Sequence, residues 1–410
     1  MFVNDISDLF QIEIYKYTIH ISNDIPKICR KEILMPMHDL NGTQYLYYID
    51  LEKGYTILWK VDTSKFVSFF CTYLKKYEIP QKIMYGRINI HSLLKHENKI
   101  YALPDSANFI MCFDLITKDY SILCESYNHI YGLSNTIYGD AIYYTKWSIH
   151  DQLNRYLPEQ NIKLEIGRYE IKKMHYHKIT NIDGPDSIHQ TVLTPGQEKI
   201  IALEVPRFSK RHNDNIMLVH SKILIIDVIS NNLDVILMDK APAHIIFDKN
   251  NLEIAYVACC NFSALGCFGY GRIDKYLLQN KMRRIASYEK DNLWRIPNHE
   301  TFEYNNEPLL VTPVYPNQIH IINTDTMTIK KEIRLSASGI DPCTLNIPFY
   351  YPLYDSTPYT VLPINKTPYI ILCSKWAIKI LDFENNKIID TIRYNLQNFP
   401  LWTTAHCSLV

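Results

Sequence analysis

The sequence predicts an all-β chain closed into a seven-bladed β-propeller, and three observations carry that expectation. Apolar runs, alternating or continuous, recur from end to end, whereas long stretches with a helical period are nearly absent. One unit repeats: an apolar strand ending in Asp or Asn, a short polar turn, then a second apolar strand. Composition points the same way, since 47% of the residues are apolar and Tyr (31) far outnumbers Gly (12), a bias toward strands.

The repeating unit is clearest at 109–123, 222–237, 318–333 and 377–392. Aligned on Asp114, Asp227, Asn323 and Asp382, these copies lie 113, 96 and 59 residues apart, near multiples of fifty-odd. That period allows about seven copies in 410 residues, and repeats of this length with several strands each are the signature of propeller blades. With Gly scarce, the Asn pairs at 231–232, 250–251 and 385–386 are expected to supply the left-handed turn conformation. No linker rich in Pro, Gly or Ser interrupts the pattern, so residues 1–410 read as one domain.

Charge and motifs narrow the function. Lys and Arg (43) balance Asp and Glu (43), which leaves no field to attract nucleic acid. The one compact basic run, RFSKRH at 207–212, reads as a solvated loop, with peripheral contact to a lipid surface as the other reading. The amino terminus lacks the pattern of a secretory signal and no segment is long and apolar enough to span a bilayer. Ten cysteines without CxxC spacing read as reduced core residues, and these features together predict a cytoplasmic protein. The Walker loop, HExxH, GxSxG and a Gly-rich dinucleotide turn are all missing; LGCFGYG at 265–271 reads as a bend.

Histidine is the remaining signal. His129, His189, His244 and His406 are separated by 60, 55 and 162 residues, about one, one and three repeats, so they can occupy equivalent places on different blades. Inner strands converge on a propeller axis. Four neutral imidazoles there would hold a divalent metal with two positions open for dioxygen or a substrate oxygen.

Around these residues the chain resembles the carotenoid cleavage oxygenases. SIHQTVLTPGQEKIIALEVP (187–206) is similar to the family's ligand histidine followed by Asp-Phe-Ala-Ile-Thr and a strand ending in Pro, with Gln190 in place of the Asp. KIYALPDSANFIMCFDLIT (99–117), His129 in NHIYGLSNTIYGD, His244 in AHIIFDKNNLEIAYV and His406 in PLWTTAHCSLV match further motifs in the family's order. The resemblance implies iron(II) on His129, His189, His244 and His406, with Asp105 as the surviving outer carboxylate. Leu293 and Ile347 stand where the family's other two carboxylates would be. It further implies a seven-bladed propeller with a reduced helical or loop cap, oxidatively cleaving a double bond of an apolar alkene with dioxygen. Loss of two carboxylates leaves a redox-neutral reaction on the same histidines as an alternative, and a non-catalytic propeller scaffold as another.

Overall fold

The computed structural model describes residues 4–38, 43–76, 89–105, 109–124, 129–131, 136–148, 163–173, 175–183, 188–204, 211–212, 215–216, 221–260, 271–279, 281–289, 299–314, 318–335, 360–374, 377–394 and 408–409. Seven antiparallel sheets form a ring, the seven-bladed propeller expected. Blades 4 to 7 are four-stranded meanders, each running from the axis outward. Blade 4 comprises Ile188–Leu193, Lys199–Glu204, Ser221–Asp227 and Leu233–Met238, and blade 5 Ala241–Phe247, Ile254–Cys260, Arg272–Leu277 and Arg283–Glu289. Blade 6 spans Glu300–Tyr304 to Thr328–Arg334 and blade 7 Thr360–Pro363 to Lys387–Arg393.

The first three blades depart from four strands. Blade 1 orders Gln11–Thr18, Tyr55–Asp62, Gln44–Asp50, Glu32–His38 and Ser408–Leu409, so strands from the two ends of the sequence share one sheet. Blade 2 runs from Asn89–His96 through Lys99–Asp105 and Phe109–Asp114 to Tyr120–Cys124, with Asn4–Asp5 added on its outer edge. In blade 3 the inner strand is split into His129–Tyr131 and Thr136–Tyr138, which both pair with Ala141–Ser148; Lys163–Glu170 and His175–Asp183 follow outward. Among the described residues there is one α-helix, Ser64–Lys76. It packs by Phe66 into the seam of blades 1 and 2, against Phe10 and Phe109.

Side chains alternate across each strand, so every blade presents an apolar face to both neighbours. The buried core accordingly divides into seven clusters, one per seam. Ile201 and Ile223 of blade 4 meet Val257 and Tyr276 of blade 5. Leu224 of blade 4 packs on Leu164 and Ile166 of blade 3. The seam that closes the circle joins Ile371 and Tyr394, on blade 7 and its exit, to Met35 and Tyr47 of blade 1. There the Tyr394 hydroxyl donates to Ser374 O at 2.7 Å, and its ring stands edge-on to Tyr47.

The Asp or Asn that ends each repeated strand has a definite task. Asp114, Asp227, Asn323 and Asp382 each accept backbone N–H groups of the following turn, as in Ser230 N–H to Asp227 Oδ1 at 2.7 Å. Asp50 and Asp248 do the same in two hairpins outside the four aligned copies. Of the Asn pairs, 231 and 386 take positive φ (58° and 53°). Asn250 and Asn251 do not; both donate their backbone N–H groups to the Asp248 carboxylate. Instead Asn305 and Asn306 (52° and 60°) form the two-residue turn between Tyr304 and Glu307.

Cys29, Cys259 and Cys373 are buried free thiols, and burial pushes the Cys29 thiol up to about 11. Among the described residues no helix is long and apolar enough to cross a membrane.

Because each seam is a separate close-packed core, truncation in one should be costly and truncation outside should not. Ile201→Ala is expected to lower unfolding stability in urea by about 2–5 kcal/mol, the usual range for emptying such a site. Ile229→Ala, at a residue 89% exposed, should change it by less than about 0.5 kcal/mol.

Candidate axial histidine site

An antiparallel ladder keeps inner-strand side chains facing the neighbouring blades, so something must turn a side chain toward the axis. A register break does this. The inner strands of blades 2, 4 and 5 slip between Ile90 and Ser92, between Ile188 and Gln190, and between Pro242 and His244. Counted from the hairpin turn, the three breaks fall within one rung of each other. The extra residues are His91, His189 and Ala243, and a bulge of this kind re-aims the side chains it carries.

At the breaks of blades 4 and 5 the rings of His189 and His244 come together, centroids 4.7 Å apart and planes at 72°. His244 is buried and His189 half-buried. The contact is edge-to-face, between imidazoles carried by two different blades.

The seam holds the pair in place through Gln190. Ile245, next to His244, donates its N–H across the seam to Gln190 Oε1 at 2.7 Å. The same device recurs one seam from closure, where Ile90 donates to Gln44 Oε1 at 2.9 Å, beside the His91 bulge. Gln190 thus acts as an acceptor for the neighbouring blade's backbone.

The other expected site residues are placed less fully. His129 begins the inner strand of blade 3, paired with Ser148; its side chain is outside what the structure describes. By register it stands nearer the strand's start than His189 does, because residues 132–135 separate it from Thr136–Tyr138. His406 lies outside the described residues, two positions before Ser408–Leu409, which pairs with Ile33 and Leu34 on the axial side of blade 1. Asp105 ends the second strand of blade 2, opposite Asn89, with its side chain likewise not described. Leu293, Ile347 and residues 207–210 of the basic run lie outside the described residues. Among the described residues no three His, Cys, Asp or Glu side chains are grouped to hold one ion. His189 and His244 are therefore the part of the expected ligand set that the described side chains bring together.

Two histidines escaped the sequence reading. His91 shares the bulge position of His189, and the signal was the Ile-His pair at 90–91 and 188–189. His299 precedes the inner strand of blade 6, 55 residues after His244 as His244 is 55 after His189. It is 1% exposed, its Nε2–H donates to Tyr256 O at 3.0 Å, and burial pushes its pKa down to about 4. That contact is to the second strand of blade 5, so His299 serves the seam of blades 5 and 6.

A cleft of about 400 Å³ lies elsewhere, at the hairpin ends of blades 4 and 5. Glu198, Asp234 and Glu253 line it with Ile201 and Met282. It sits at the far end of the inner strands from the histidine pair, and its carboxylates suit an apolar alkene poorly.

Two outcomes follow from this geometry. Gln190→Ala should leave the Ile245 N–H without its acceptor and lower unfolding stability in urea by about 1–3 kcal/mol, whereas Gln190→Glu, which keeps an acceptor there, should cost less. For His299, a folded pKa near 4 against about 6.5 unfolded means the unfolded chain binds the extra proton between those values. Stability should therefore fall as pH drops from about 6.5 to 4, by up to about 3 kcal/mol from this group, and His299→Gln should flatten that part of a urea-unfolding pH profile.

No family model matches the chain, and no curated protein matches it. Among solved structures it is similar to one described as a "putative 6-phosphogluconolactonase" from Bacteroides fragilis, with a TM-score of 0.54 and 11% identity over 94% of this chain and 99% of that one. At that identity the likeness speaks for the seven-bladed ring alone.

Proposed function

We propose that the chain is a non-haem iron(II)-dependent oxygenase, similar in reaction to the carotenoid cleavage oxygenases, that cleaves a double bond of an apolar alkene. The observation that carries this reading is the meeting of His189 and His244 at 4.7 Å, on inner strands whose register breaks at the same rung. Its support from the fold is that His129, His189 and His244 stand on the innermost strands of three consecutive blades, and that His406 is two positions before the innermost strand of blade 1 in the sequence.

In this reading the four imidazoles hold the ion and leave positions open beside it, Gln190 fixes the backbone next to His244, and the apolar seams keep water from the ligands' rear. Iron bound there would supply the activation of dioxygen. Neutral imidazole also suits zinc, copper and nickel, so the choice of iron rests on the family resemblance.

Elemental analysis of the freshly purified chain tests the proposal. About one iron per chain is expected, falling in His189→Ala, His244→Ala, His129→Ala and His406→Ala but not in His96→Ala, whose imidazole pairs with Asp140. A point substitution at 406 is a cleaner probe than truncation, because removing the last residues would also delete the strand on Ile33 and Leu34. Oxygen uptake with a trial alkene then tests the reaction. Full iron in His189→Ala and His244→Ala, both folded by circular dichroism, would refute the site.

A further inference from the structure

The outer strand of blade 3 carries His175 and His177, one residue apart and so on the same face of the sheet. Their rings stand 4.6 Å apart between centroids with planes at 82°, nearly the arrangement of the axial pair. Here, however, the surroundings are open: His175 is exposed and the His177 side chain is 40% exposed.

A carboxylate completes the arrangement. Glu170 lies directly across the ladder from His175, and its Oε1 is 3.2 Å from His177 Nε2. Lys173 at 2.8 Å and Arg168 at 2.9 Å grip the same carboxylate. Metal-ligating imidazoles commonly donate their second N–H to such a carboxylate, which fixes the tautomer and makes the free nitrogen a better donor.

We propose that His175 and His177 form a surface chelate for a divalent transition ion. His177 binds through Nδ1 while its Nε2–H is donated to Glu170, His175 supplies the second nitrogen, and water fills the remaining positions. Two imidazoles and no thiolate favour copper(II) most, then zinc(II) or nickel(II), and disfavour magnesium and calcium. The site lies on the outer strand of blade 3, away from the inner strands that carry His189 and His244, and does not depend on the axial reading.

The full chain titrated with copper(II) chloride, followed by calorimetry and electron paramagnetic resonance, tests the site. His175→Ala and His177→Ala should each weaken one copper equivalent at least 10-fold and reduce the nitrogen hyperfine structure of its spectrum from two coupled nitrogens to one, and Glu170→Gln should weaken it by about 10-fold. His20→Ala, at another exposed histidine, should leave that equivalent unchanged. The same loss should appear in His175→Ala made on a His189→Ala, His244→Ala background, which separates this site from the axial one. An unchanged isotherm and spectrum in both His175→Ala and His177→Ala, with circular dichroism showing the fold intact, would overturn the proposal. The side chains face solvent, so these variants are not expected to disturb folding.

Discussion

Apolar packing between neighbouring blades is the interaction on which everything else in this molecule depends. A blade by itself is a twisted sheet with two oily faces and no core. Each becomes stable only when the next covers it, and the circle removes the need for terminal caps because blade 7 is covered by blade 1. The burial of Met35, Tyr47, Ile371 and Tyr394 in that last seam is what turns a row of sheets into a ring. With the outer parts of the blades fixed by packing, the inner strands are held at close quarters around the axis.

The ladders break register at the outer strands of blades 3, 5, 6 and 7 as well as at the inner strands of blades 2, 4 and 5, and it is the inner breaks that bear on the axis. Breaks at one level in blades 2, 4 and 5 sacrifice a paired residue in each sheet, a cost the seams absorb. The return is a pair of imidazoles from different blades held in mutual contact, with amide side chains from the preceding blade satisfying the backbone beside the breaks. Gln44 and Gln190 do for the strand edge what a further strand would otherwise do, in a place where a further strand would fill the axis.

Much of the fold was legible because it is written in local pattern. Alternation marked the strands, and Asp114, Asp227, Asn323 and Asp382 marked turns through a carboxylate or amide that bonds backbone two or three residues ahead. Such signals lie within a few residues of one another. The site was legible in part: the 55-residue interval from His189 to His244 survives because both sit at matching breaks in successive blades. What could not be read depends on the register of one strand against another, within a hairpin or across a seam. The bulge at His91 is set by the pairing of Ile90 with Pro104 and of Ser92 with Leu103, and the partner of Gln190, Ile245, lies on the next blade. The pair at His175 and His177 was visible as His-Tyr-His, but Glu170 joins it only across a hairpin.

Blade 1 has a consequence for how the molecule comes into being. Its sheet pairs Ile33 with Leu409 and Gln11 with Asp62, so one blade waits for a segment from almost the other end of the chain. Contacts of such long sequence separation raise the entropy of closure and slow folding. Blades 2 to 7 can assemble in order as they are made, while blade 1 stands with an uncovered face and an open inner edge until blade 7 and Ser408–Leu409 reach it. Open sheet edges and oily faces invite association with other chains. The ring is therefore most vulnerable to aggregation before that last seam closes.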